Sequence, residues 1–173
     1  MSSEEGHAEK RDNMGQVGDM IVNLMRLPEI PEAAEGVQIK RALIVDKGKI
    51  LEFIKENFPA SPGWMWEAEK ALMQNPGQCF IAVKEKEVVG FACYDTTALD
   101  YFGPTGVRRD MRGQGIGTVL LLCTLHAMKN AGYGYAIIGA VGDAANFYQR
   151  VVGASYIAGA DLQNTVYSQL IKM

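Results

Sequence analysis

Val107-Arg108-Arg109-Asp110-Met111-Arg112-Gly113-Gln114-Gly115-Ile116-Gly117-Thr118 joins the end of a strand to the start of the longest helix in the chain. The strand, Phe102 to Val107, is short and is interrupted by Gly103-Pro104. The helix, Ile116 to Ala131, is closed by Gly132. Amides in the first turn of such a helix have no intrahelical acceptor and lie at the positive end of its dipole. Glycines at that place let an anion approach the backbone closely, and Arg112 adds a charge-assisted contact. Phosphate is the expected guest. Two better-known phosphate loops do not fit. G-x-G-x-x-G started at Gly115 needs a glycine where Leu120 stands, and the G-x-x-x-x-G-K-[ST] loop lacks its lysine.

Upstream, Val37 to Leu43 alternates apolar and polar residues as a first strand. Ile50, Leu51, Phe53, Ile54 and Phe58 recur at helical spacing, so Lys49 to Phe58 is a helix. Pro59-Ala60-Ser61-Pro62-Gly63 breaks it, Trp64 to Gln74 forms a second helix, and Asn75-Pro76-Gly77 stops that one. Cys79 to Val83 and Val88 to Tyr94 form a hairpin about Lys84-Glu85-Lys86-Glu87, apolar on both faces and therefore central. Downstream come a buried strand from Tyr135 to Gly139, a short helix from Ala144 to Val151, and closing strands at Ala154 to Ile157 and Val166 to Ile171. The order predicts an α/β fold with a mixed sheet.

A chain of 173 residues fits one domain. Apolar residues at 48% and charged residues at 21% are the mixture of a soluble globular protein. No apolar run approaches the roughly 18 residues that span a bilayer, and no leader pattern opens the chain. No membrane partner and a cytoplasmic setting are expected. Cys79, Cys93 and Cys123 are odd in number and widely spaced, which predicts free thiols, with Cys79 and Cys93 as cross-strand neighbours. No Cys/His pair has metal-ligand spacing, so no metal is expected. The net charge of −3 divides into −5 over residues 1–36 and +2 over the remainder. No basic stripe suggests nucleic acid. Residues 1–36 are expected to be an acidic, partly disordered extension, and 37–173 the domain. Met20 to Met25 is a short apolar segment that docks on the body or on a partner.

Arg112-x-x-Gly115-x-Gly117 resembles the R/Q-x-x-G-x-G/A motif of the GNAT acetyltransferases and sits where that family places it, after the fourth strand. Phe147-Tyr148-Gln149-Arg150-Val151-Val152-Gly153-Ala154 resembles the family's F-Y-E-K-x-G-F segment with one extra residue before the glycine. The order of elements is similar from about Val37 to Ile171. The resemblance implies a GNAT fold, a mostly antiparallel twisted sheet that splays between its fourth and fifth strands. It also implies acetyl-CoA as cosubstrate, with no metal and no covalent enzyme intermediate. Arg112, Gly113 and the amides of Gln114, Gly115, Ile116, Gly117 and Thr118 would cradle the pyrophosphate. The backbone of Val107, Arg108 and Arg109 would hold the pantetheine arm, and an amide near Val107 would polarise the thioester carbonyl. Tyr148 matches the family tyrosine that protonates the departing thiolate.

The chain departs from the family at two points. Val141 stands seven residues before Tyr148, where many members have asparagine, and Asn146 is not its replacement. The fourth strand has no glutamate to act as general base. Asp95 and Asp100 are the nearest acids, with Glu67 and Glu69 on the second helix. Trp64 and Trp66 lie where the family borders its acceptor site, a place equally suited to core packing. His7 and His126 are expected to be inert or structural. The implied reaction is direct acetyl transfer to a primary amine, preferably of a small molecule, with a homodimer left open. The alternatives are a non-catalytic acyl-CoA-binding or sensing module and a nucleotide-phosphate binder.

Overall fold

The structure, a computed structural model, describes residues 15–171. Seven strands form one sheet: β1 (Gly18–Asn23), β2 (Val37–Arg41), β3 (Cys79–Lys84), β4 (Glu87–Tyr94), β5 (Tyr101–Val107), β6 (Tyr135–Val141) and β7 (Ser155–Asp161). Four helices flank it: α1 (Lys47–Asn57), α2 (Gly63–Leu72), α3 (Ile116–Asn130) and α4 (Ala145–Val152). The spatial order is β2-β3-β4-β5-β6-β1-β7, and every pairing is antiparallel except β5 with β6. The fourth and fifth strands of the sequence reading are therefore β5 and β6.

Each face of the sheet has its own core. Ile50, Phe53 and Ile54 of α1 and Ala68, Ala71 and Leu72 of α2 pack on Ile81, Phe91 and Cys93. On the other face α3 and α4 bury Leu120, Leu121, Leu125 and Tyr148 against Ala92, Phe102 and Ile138. α3 is apolar nearly all round because it lies across the middle of the sheet. Cys79 and Cys93 pair across β3 and β4, both buried and free, and burial beside Cys79 pushes the Cys93 thiol up.

Parallel pairing between β5 and β6 is confined to Tyr101 with Ile137 and Phe102 with Ile138. Beyond Phe102 the two strands part, so Gly103 to Val107 has a partner only on its β4 side. The expected splay is present, and it creates the groove described below.

The chain departs from the sequence reading at both ends. Gly18–Asn23 was placed in an acidic extension ahead of a domain starting at residue 37. It is a strand inside the sheet, paired with β6 on one side and β7 on the other. Met20 and Val22 are fully buried in the α3/α4 core, so the folded body begins by Gly18. The tail before residue 15 lies outside the described residues. The strand expected at Val166 to Ile171 is a 3₁₀ turn, Val166–Gln169. The space between β6 and β7 is already filled by β1, so the chain after β7 finds no gap there to enter.

Removing a buried methionine costs the transfer of its side chain plus a cavity, about 2–5 kcal/mol. Met20→Ala is therefore expected to lower the urea midpoint by that equivalent with m unchanged, which a surface-docked segment would not do.

Candidate active site

The turn after β5 is built from three short-range devices. The Arg108 amide donates to Val89 O at 2.8 Å, a last sheet bond to β4. Arg109–Met111 makes one 3₁₀ turn and drops Met111 into the core. Gly113 and Gly115 then both take φ of +80°, a left-handed backbone that side chains rarely adopt, and Gly115 caps α3. A Cβ at either glycine would meet nothing within 4 Å, so the loop lies against open space.

No side chain caps α3, and its first helical bond runs from the Val119 amide to Gly115 O. The amides of Ile116, Gly117 and Thr118 thus lack intrahelical acceptors at the positive end of a 15-residue helix. Arg112 folds back, its Nε donating to Val107 O at 3.0 Å, which ties the loop to the end of β5.

In an antiparallel pair, successive residues turn their amide and carbonyl alternately toward and away from the partner. Arg108 turns toward β4, as does Gly106 opposite Phe91. The backbone groups of Val107 and Thr105 therefore face the splay. Two arginines four residues apart in sequence have separate tasks. The Arg108 side chain is clamped by Asp110, at 2.6 and 3.1 Å, and reaches Glu87 at 3.3 Å, while Arg112 borders the open space.

That open space is a groove of about 730 Å³. Seven of the ten residues expected to bind the cofactor line it: Val107, Arg112, Gly113, Gly115, Ile116, Gly117 and Thr118. Arg108, Arg109 and Gln114 do not; Gln114 turns its amide group toward Met111 Sδ. The groove also takes in Phe58, Phe102 and Arg150, which sequence reasoning missed. Arg150 is two residues from Tyr148, and its proximity to the motif was the available signal. Phe58 gave none, because its place depends on Gly106: a Cβ there would strike the Phe58 ring.

Tyr148 lines the groove from α4, only 7% exposed, with its ring edge-on to Phe102 at 6.2 Å. Burial alone pushes its phenol up to about 12, so the proton stays on the oxygen throughout the neutral range. The hydroxyl makes no hydrogen bond among the described residues and opens onto the groove. Trp64 enters from the opposite face, packed on Phe58 and Phe91, whereas Trp66 is 63% exposed and stands away. Asp95 and Asp100 are not in the groove; Asp95 accepts from Tyr133, and burial next to Asp95 lifts Asp100 to about 6. Glu69 pairs with Lys47 at 2.9 Å. The His126 ring meets Pro28 O at 2.9 Å, a structural contact.

A splayed parallel pair that ends at a bare helix N-terminus, with a basic rim and a buried phenol, has the length, free amides and positive charge that suit an anion. The family model for acetyltransferases of the GNAT family matches residues 48–154, more than half of the chain. The chain belongs to the GNAT family.

Solved structures share the fold at low identity. A GCN5-related N-acetyltransferase from Sphaerobacter thermophilus is 20% identical with a TM-score of 0.67, over 84% of this chain and 49% of that one. A GCN5-related N-acetyltransferase from Kribbella flavida is 17% identical with a TM-score of 0.58, over 82% and 54%. A GNAT acetyltransferase from Brucella melitensis, in complex with acetyl-CoA, is 19% identical with a TM-score of 0.50, over 64% and 80%. The chain thus spans about half the length of the first two. No curated protein matches the chain. The GNAT acetyltransferase fold observed here is a seven-stranded open sheet with helices on both faces.

Proposed function

We propose that this GNAT protein transfers the acetyl group of acetyl-CoA to a primary amine of a small molecule by direct attack. The observation that carries the proposal is the groove: unpaired backbone of β5, the uncapped start of α3 and the unpartnered Tyr148 phenol share one continuous space. The residues present fit an acetyl-CoA molecule. Left-handed Gly113 and Gly115 leave room beside the free amides, and Arg112 supplies positive charge that suits a pyrophosphate.

In this proposal the amides of Gly115 to Thr118, with Gly113 and Arg112, hold the pyrophosphate. The pantetheine arm lies along Thr105 and Val107, in the position of a missing strand. Arg108, its amide spent on β4 and its side chain on Asp110, instead fixes the register of Val107. The Val107 amide faces the thioester carbonyl and polarises it as the amine attacks. Tyr148 donates its proton to the departing sulfur, while the attacking nitrogen releases a proton to solvent as the amide forms and solvent restores the phenol. When bound, acetyl-CoA supplies the activated acyl group; the chain supplies orientation, a donor for the carbonyl and a proton.

Free-thiol release from acetyl-CoA over a panel of amines, with CoA binding measured in parallel by calorimetry, tests this. Saturable release that needs an amine is the expected result. CoA binding with no release on any amine would instead favour the binding-module alternative.

A further inference from the structure

The groove is open through the sheet. Met111, Leu121 and Tyr148 line it from the α3/α4 face, Phe58 and Trp64 from the α1/α2 face. Glu67 lies one turn beyond Trp64 on α2 and accepts from the Thr97 hydroxyl. Tyr101 of β5 donates to Asp19 of β1 at 2.7 Å, and its ring stands 6.5 Å from that of Tyr167. The Tyr167 hydroxyl rests on β6 at Gly139, where any Cβ would collide with it.

Two carboxylates flank this ring, Asp19 through Tyr101 and Glu67 through Thr97. Burial raises the Tyr167 phenol to about 12 against an opposing hydrogen bond with Thr97, and the charges of Asp19 and Glu67 add to the effect of burial. Asp19 is 3% exposed and has no basic partner among the described residues. A buried carboxylate without a counter-charge projects its field further than a solvated one. Lys70 is the nearby cation on α2, and its ammonium is held by Thr96 O at 3.2 Å. From the other face, the Tyr148 hydroxyl, nine-tenths buried and unpartnered, marks the reacting point inside the same passage.

We infer that the acceptor carries, besides the neutral amino group that attacks, a second, cationic amine and no carboxylate, the cation being drawn to the α1/α2 end of the passage by Glu67 and the buried charge of Asp19 and seated against the rings of Trp64 and Tyr167. The inference rests on the acetyl-transfer reading above. Opposite charge in a partly desolvated cleft concentrates cations and excludes anions, and aromatic faces hold ammonium groups. An acidic amine would meet like charge at the same place.

The experiment compares three amines of one chain length: 1,4-diaminobutane, 1-aminobutane and 4-aminobutanoate, each scored by thiol release from acetyl-CoA. The expected order of kcat/KM is diamine, monoamine, amino acid, with at least ~10-fold between the first and the last. Glu67→Gln is expected to cut the preference for diamine over amino acid at least ~10-fold, while Glu69→Gln leaves it intact. Equal or better turnover of 4-aminobutanoate overturns the inference and leaves acetyl transfer standing. A preference unchanged in folded Glu67→Gln with normal CoA affinity also overturns it. If none of the three is acetylated, calorimetry of 1,4-diaminobutane on the CoA-loaded protein decides, and no binding overturns it. Absence of CoA binding altogether strikes the acetyl-transfer reading instead.

Discussion

Gly117→Val is expected to leave the protein folded and weaken CoA binding by at least ~100-fold. A Cβ at Gly117 would meet only Val107 Cγ2, at 3.7 Å, an ordinary contact. The residue lies in the first turn of α3 at unstrained φ, and leaving glycine there favours the helix. Nothing in the fold resists the added side chain. It projects into the space beside the Thr118 amide, where a pyrophosphate has to come within about 3 Å of the backbone. Hydrogen bonds to charged groups are worth about 1.5–3 kcal/mol each, so losing two removes at least the affinity stated. Calorimetry on the folded variant reads the outcome. Near-normal affinity would mean that the start of α3 is not the phosphate site.

Tyr148→Phe should act on turnover alone. A positioned proton donor contributes about 100- to 10,000-fold, so kcat is expected to fall by that factor where chemistry limits the rate. The hydroxyl has no partner among the described residues, so removing it orphans no other group, and the edge contact with Phe102 persists. Melting temperature and CoA affinity should stay as they are. With its pKa raised to about 12 by burial, the phenol stays protonated below that, so its titration imposes no alkaline loss between pH 6 and 9. A solvated thiol, near 8.5, is the stronger acid, but a thiolate leaving into the same apolar slot is raised by the same burial. Unchanged kcat would transfer the proton to water or to the substrate.

The features legible in the sequence were those that depend on near neighbours. The glycine turn, the start of α3 and the apolar stripe of α1 follow from residues within a few positions of one another. β1 was not legible as a strand. Its run Met20-Ile21-Val22 has no alternation to betray a sheet, because Ile21, half-buried on the face opposite Met20 and Val22, is as apolar as they are. The division of labour between Arg108 and Arg112 also escaped notice, since it depends on which way one amide turns in the β4–β5 ladder. The groups beside the groove on the α1/α2 face were the least legible part. Asp19, Glu67, Tyr101 and Tyr167 come from four distant stretches and meet only once the sheet is assembled.

The place of β1 also bears on how the protein is made. Met20 pairs with Ile138 and Tyr156, so once synthesised the strand has no partner until more than a hundred further residues follow. At about 5–20 residues per second that is a wait of several seconds or more, with an apolar β-prone segment exposed.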